Sequence, residues 1–181
     1  YKRGLMIRDI TEQVDAPKAM KRKPVMLSRG GWHTLVNASR ESSRELIVEF
    51  VLKTGMRITE ALSITWEQVD SGSRTVTVGE SKTDAGTGRN IPLDQTLLGR
   101  LTALRAEHYA LQMQYRDWNP TGLVFCTNAG NFNSYRNLQN RVLTPLLKEA
   151  GLPHLTWHHL RHNAGSYLLS ENVPITAVSK I

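Results

Sequence analysis

The stretch Thr54-Gly55-Met56-Arg57-Ile58-Thr59-Glu60-Ala61-Leu62 decides how this chain folds. Upstream of it, between Ser42 and Lys53, Leu46, Ile47, Phe50 and Val51 recur at helical spacing. Gly55 then stands where a helix ends in a left-handed turn, a conformation glycine adopts without steric cost. A second helix is predicted from about Arg57, with Ile58, Ala61 and Leu62 facing inward. The turn puts Arg57 at a helix start, where unpaired backbone amides and the helix dipole favour an anion. Glu60, one turn on, is placed to hold the guanidinium or to accept from nearby amides.

Two more segments carry compatible chemistry. In His158-His159-Leu160-Arg161-His162, His158 and Arg161 lie three apart on a predicted helix, so an imidazole and a fixed cation share one face. Lys82, in Ser81-Lys82-Thr83, begins a turn-rich hairpin tip from which a lysine can enter a DNA groove and give a proton to a departing oxygen. Arginine presents a planar fork that holds two phosphate oxygens at once, so Arg57 and Arg161 suit a phosphate that gains charge in its transition state. His162 is expected to be buried and bonded to backbone, and His159 to lie on the surface. His158 and His162 also have the four-residue spacing of metal ligands, with His154 close by. The stretch lacks the glutamate of His-Glu-x-x-His and sets Arg161 against a cation, so phosphate chemistry without metal or other cofactor is the expectation.

Around these segments the pattern is mainly α with a small antiparallel β-sheet, an α+β arrangement. Ser28 is a candidate cap for a helix through Val36 that Gly30-Gly31 weakens. Arg74 to Val78 alternates, Thr83 to Gly88 is turn-rich and Arg89 to Pro92 resumes an extended pattern, which predicts a hairpin. A long helix follows from Asp94 to about Tyr115, with Leu97, Leu98, Leu101, Leu104 and Leu111 as its buried stripe. Leu123 to Phe125 reads as a short extended piece, Ser134 to Ala150 as a helix stopped by Gly151, and Thr156 to about Glu171 as the next. Pro174 opens a final helix. Tyr109, Tyr115 and Tyr135 are expected to pack, and Tyr167, six residues after Arg161, to point away from its face.

The chain has 181 residues, 40% of them hydrophobic, enough to bury one core. Its net charge of +7 favours an anionic partner, and duplex DNA leads. Eight Lys/Arg against three acids fall within residues 1–29, including the run Lys21-Arg22-Lys23, so residues 1–27 read as a basic linker and the end of a preceding domain. A lone Cys126 allows no internal disulfide and reads as a small buried hydrophobe. With no long apolar run, neither a membrane span nor a secretory signal is visible, and a cytoplasmic protein is expected.

Three blocks in order carry a resemblance: Thr54-Gly55-Met56-Arg57 with Glu60, Ala61-Leu62 and Trp66; Ser81-Lys82-Thr83 through Arg89-Asn90-Ile91-Pro92-Leu93; and His158 through His162. Over residues 40–181 the chain resembles the catalytic domain of the tyrosine recombinases, the phage-integrase and Xer-type site-specific recombinases. The resemblance implies a helical domain that grips duplex DNA, with Arg57 and Arg161 on the scissile phosphate, Lys82 protonating the 5′-hydroxyl leaving group, His158 assisting proton transfer, and Glu60 and His162 in support. Lys21, Arg22, Lys23, Lys82 and Arg89 are its expected DNA contacts. It further implies a tyrosine nucleophile forming a 3′-phosphotyrosine link without cofactor, and four protomers exchanging strands. His159 and Asn163 depart from the residues more usual beside this arginine. The stretch after Arg161 is too short to reach the family's later His/Trp position or its tyrosine, so residues 28–181 are expected to be a C-terminally truncated catalytic domain. A type IB topoisomerase-like enzyme and a DNA-binding accessory module without a nucleophile are the alternatives.

Overall fold

The computed structural model describes residues 25–79 and 87–171. Lys21, Arg22, Lys23, Lys82 and the helix expected from Pro174 lie outside the described residues. Helix α1 spans Arg29–Ala38, α2 Leu46–Thr54 and α3 Ile58–Ser63. Strands β1 (Val69–Asp70), β2 (Thr75–Thr77) and β3 (Asn90–Pro92) precede α4 (Gln95–Gln114), α5 (Tyr135–Leu138), α6 (Thr144–Glu149) and α7 (Trp157–Ser170).

The α2 helix is the hub. The sequence pattern marks one apolar face, but every side chain of α2 except Lys53 is buried. Val48 and Leu52 complete an apolar surface all the way round, which a helix carries only when surrounded. Helices α1, α3, α4 and α7 pack against it. It starts at Leu46 and not near Ser42, because Ser43–Glu45 forms a 3₁₀ turn first. At its other end Gly55 adopts φ 65° and donates its N–H to the Val51 carbonyl, the left-handed stop that the sequence predicts.

The glycine pair does not break α1. Ser28 Oγ accepts the Gly31 N–H at 3.1 Å, and the helix runs to Ala38. A Cβ on Gly31 would sit 3.4 Å from Leu27 and 3.5 Å from Leu152, so the small residue lets neighbouring segments approach. The sheet is antiparallel in the order β1-β2-β3, with Val76 opposite both Val69 and Ile91. Strand β1, two residues long, is too short to show an alternating pattern.

Asp94 caps α4 by accepting the Leu97 N–H at 2.9 Å. Leu97, Leu98, Leu101 and Leu104 are buried as expected, and Leu111 half-buried. Tyr109, Tyr115 and Tyr135 correct the sequence reading: they are 67%, 55% and 53% exposed, on faces that periodicity alone does not orient. Cys126 is half-buried rather than enclosed. The helix predicted from Ser134 to Ala150 is interrupted by a π turn at Gln139–Leu143. Pro145 has no N–H to donate one turn back, and the widened turn accommodates that loss. Leu123 to Phe125 forms no strand; it is pinned by an isolated bridge from Leu123 to Thr65 and by the Asn119 amide, which bonds both backbone groups of Leu123.

The hub carries one buried charge. Glu49 is fully buried and faces Lys53 and Arg100, with Arg40 3.7 Å away. Lys53 Nζ makes a charge contact with Glu49 Oε1 at 2.7 Å and also pairs with Asp94 at 2.7 Å. Arg100 donates to Glu49 and to the Ser42 carbonyl, tying α4 to the start of α2. Glu49→Ala should therefore lower the unfolding free energy by about 2–4 kcal/mol, since it strands partly buried cations. Urea denaturation of the two proteins measures this; a change within about 0.5 kcal/mol would show the network to be dispensable.

Candidate phosphate-binding site

The C-terminal end of α2 delivers the site. Because Gly55 turns left-handed, its carbonyl faces α7 and accepts Arg161 Nη1 at 2.6 Å. Two residues on, Arg57 is the N-cap of α3, in extended geometry (φ −65°, ψ 145°) and not in its first turn. Glu60 Oε2 accepts the Arg57 backbone N–H at 2.9 Å, while Oε1 accepts Arg57 Nη1 at 2.7 Å. The amide expected to attract an anion is thus already used, and the anion-binding capacity of this turn lies in guanidinium groups.

Glu60 also accepts Arg89 Nη2 at 2.7 Å. The sequence reading makes Arg89 an expected DNA contact; its side chain is 10% exposed and turned to Glu60. Its position follows from the sheet: Val78 and Arg89 are bonded through the backbone at 2.9 Å, which carries the β2–β3 ladder one step further and directs Arg89 to Glu60. One buried carboxylate therefore organises two arginines, and Arg161 stands against the same group.

Electrostatics follow. Burial, then the charge of Arg57, and also that of Arg89 lower the Arg161 pKa, with Glu60 acting the other way. Guanidinium groups stay charged regardless, so three cations around one carboxylate leave an excess of positive charge that an anion would neutralise.

On α7, Thr156 Oγ1 accepts the His159 N–H at 3.4 Å and His159 Nδ1 accepts the Thr156 N–H at 3.2 Å. His159 is thus half-buried in a capping box and not a surface residue. His162 corrects the reading in the opposite sense: it is exposed, and its Nε2 lies 2.8 Å from His158 Nε2. The rings meet edge to face with centroids 4.3 Å apart. One ring donates and the other accepts, so this bond exists only while at least one of them is neutral. Partial burial, then the nearby His158, His159 and Arg161, push the His162 pKa down.

Asn163 is buried, accepts the Leu27 N–H at 2.6 Å and donates to the Val25 carbonyl at 3.0 Å, holding the incoming chain against α7. Tyr167 stacks on Trp32 at 4.3 Å and 5°, which occupies its ring in packing α1 on α7. Among the described residues no group of three or more His, Cys, Asp or Glu could hold a metal ion, and no helix is long and apolar enough to cross a membrane.

The model of the phage integrase family matches residues 32–181. The chain belongs to that family. It is 24% identical over 137 residues to the integrase of Salmonella phage P22, covering 75% of this chain and 34% of that protein. It is 27% identical over 175 residues to tyrosine recombinase XerC of Bacillus subtilis strain 168, covering 93% of this chain and 56% of the relative. The chain thus spans about a third to three fifths of the length of the curated relatives it matches. Among solved structures, the XerA recombinase superposes with a TM-score of 0.73 at 23% identity, over 92% of this chain and 57% of that one. A lambda integrase tetramer bound to a Holliday junction gives 0.66 at 17% identity, over 99% and 52%. At such identities these likenesses show the tyrosine-recombinase catalytic fold.

The His162 geometry makes a pH prediction. A depressed folded-state pKa favours the neutral ring in the folded protein, so the stability it contributes is present above 6.5 and is lost as pH falls through the folded-state value, which lies below 6.5. In an NMR titration His162 should show a midpoint below 6.5, and His158→Ala should move it upward. A midpoint at or above 6.5 in the unaltered protein would contradict the pairing.

Proposed function

We propose that residues 28–181 are the catalytic portion of a site-specific DNA recombinase or integrase, which breaks and rejoins strands through a 3′-phosphotyrosine intermediate. The carrying observation is the convergence of Arg57, Arg89 and Arg161 on the buried Glu60, in a chain of the phage integrase family. In this reading the scissile phosphate lies between Arg57 and Arg161. The nucleophilic tyrosine is assigned outside residues 1–181, as the family resemblance implies; Tyr167, the tyrosine nearest Arg161 in sequence, is engaged with Trp32.

The tyrosine oxygen attacks phosphorus, the phosphorus–5′-oxygen bond breaks, and the departing oxygen takes a proton. Charge accumulates on the non-bridging oxygens, where fixed guanidinium groups stabilise it more than they stabilise the ground state. Glu60 holds Arg57 and Arg89 in place, so Arg89 acts as a positioning residue for the clamp. His158, exposed beside Arg161, handles the proton of the attacking hydroxyl. Lys82 is assigned to the leaving group. Duplex DNA is the substrate, with Lys21, Arg22 and Lys23 of the basic 1–27 arm along its phosphates. Assembly into a tetramer on DNA, and a cytoplasmic setting, complete the proposal; the lambda integrase structure is a tetramer on a Holliday junction. The integrase and Xer relatives favour recombination over supercoil relaxation.

In the longer protein that supplies the tyrosine, Arg57→Ala and Arg161→Ala should each reduce single-turnover cleavage by roughly two to four powers of ten, from about 3–5 kcal/mol of lost transition-state stabilisation. DNA affinity should change far less. Intact cleavage in Arg57→Ala would remove it from the clamp.

The role of Lys82 is chemically separable. An alkoxide needs a proton to leave, whereas a thiolate, with a thiol pKa of roughly 8–9, leaves unaided. Lys82→Ala should be slow on ordinary DNA and largely recover when sulfur replaces the bridging 5′-oxygen, while Arg57→Ala should not recover. Equal defects of Lys82→Ala on both substrates would return Lys82 to DNA positioning.

A further inference from the structure

We infer that His158 and His162 form a two-imidazole site for a first-row divalent transition metal, zinc(II) being the probe, at the edge of the arginine cluster. The ligand atoms are already in place. His158 Nε2 and His162 Nε2 lie 2.8 Å apart, one helical turn from each other on α7, with both rings exposed. A metal bound at about 2.0–2.1 Å to each of two neighbouring nitrogens sets those nitrogens about 2.9–3.4 Å apart, from right-angled to tetrahedral geometry. The nitrogens therefore need to part by only a few tenths of an ångström, each exposed ring turning so that its lone pair meets a metal set to one side of the line between them, where it takes the place of the one proton the two rings share.

Ring chemistry selects the metal class. Neutral imidazole suits zinc, copper and nickel, whereas magnesium and calcium prefer oxygen donors. Arg161 beside the pair weakens the binding of any cation, and no third protein ligand joins the two histidines among the described residues. Water fills the remaining positions, and the site is a modest one. It serves no step of the proposed reaction. On that reading the metal holds His158 Nε2 away from proton transfer, so it acts as an inhibitor.

Zinc binding by this chain tests the inference independently of any cleavage activity. Zinc(II) chloride is titrated into the purified, isotope-labelled protein while the imidazole resonances are followed by two-dimensional ¹H–¹⁵N NMR. The Nε2 signals of His158 and His162 should move together and saturate, while those of His33, His108 and His154 stay in place. His162→Ala, at an exposed position and confirmed as folded by its amide spectrum, should lose the saturable shift at His158. His154→Ala should keep it. Rings of His158 and His162 that do not move, or a His158 shift that saturates as before in His162→Ala, would overturn the site. Magnesium chloride added in place of zinc should leave both rings unmoved, and an equal response to magnesium would also overturn it.

Discussion

The Glu60 carboxylate is the constraint on which the rest of the site depends. It is almost completely buried, and a carboxylate there is tolerable only if its oxygens are matched by donors and opposite charge. Arg57 supplies a backbone N–H and a guanidinium, and Arg89 supplies a second guanidinium from another element. The α3 N-terminus and the β2–β3 hairpin are thereby tied to a single group. Two long, flexible side chains lose their freedom during folding and not when substrate arrives, which is how a protein prepares a charged site in advance.

That arrangement works because α2 is a rigid support. Its apolar surface is enclosed on all sides, so its end is fixed in space, and the left-handed Gly55 converts that end into two outputs. The Gly55 carbonyl anchors Arg161 from α7, and the chain then turns to present Arg57. A side chain on Gly55 would strain a φ of 65°, displacing the contacts on both sides of the turn. The Glu49 network secures the same helix to α4 from its interior.

Much of this was legible in the sequence where local rules act alone. The Gly55 stop, the Ser28 and Asp94 caps and the leucine stripe of α4 follow from periodicity and capping. Glu60 was legible as a partner of Arg57 because three residues separate neighbours on a helix. What local rules do not show depends on contacts between distant segments. Arg89 reads only as a DNA contact, and the pairing of β2 with β3 is what brings it to Glu60. His162 reads as a buried histidine bonded to backbone, yet it lies on the open face of α7; the four-residue spacing from His158 was the available signal. Tyr109, Tyr115 and Tyr135 show the same limit, since an aromatic ring does not announce which side of its helix meets the core. The assignment of Lys82 rests on family resemblance, and that residue lies outside the described ones.

The most direct test of the central claim is a crystal structure of this chain bound to a duplex oligonucleotide. The account predicts one backbone phosphate within about 3 Å of both Arg57 and Arg161, with the Glu60 pairs to Arg57 and Arg89 intact. A phosphate bound elsewhere, or one reached only after Arg57 and Arg89 abandon Glu60, would contradict it.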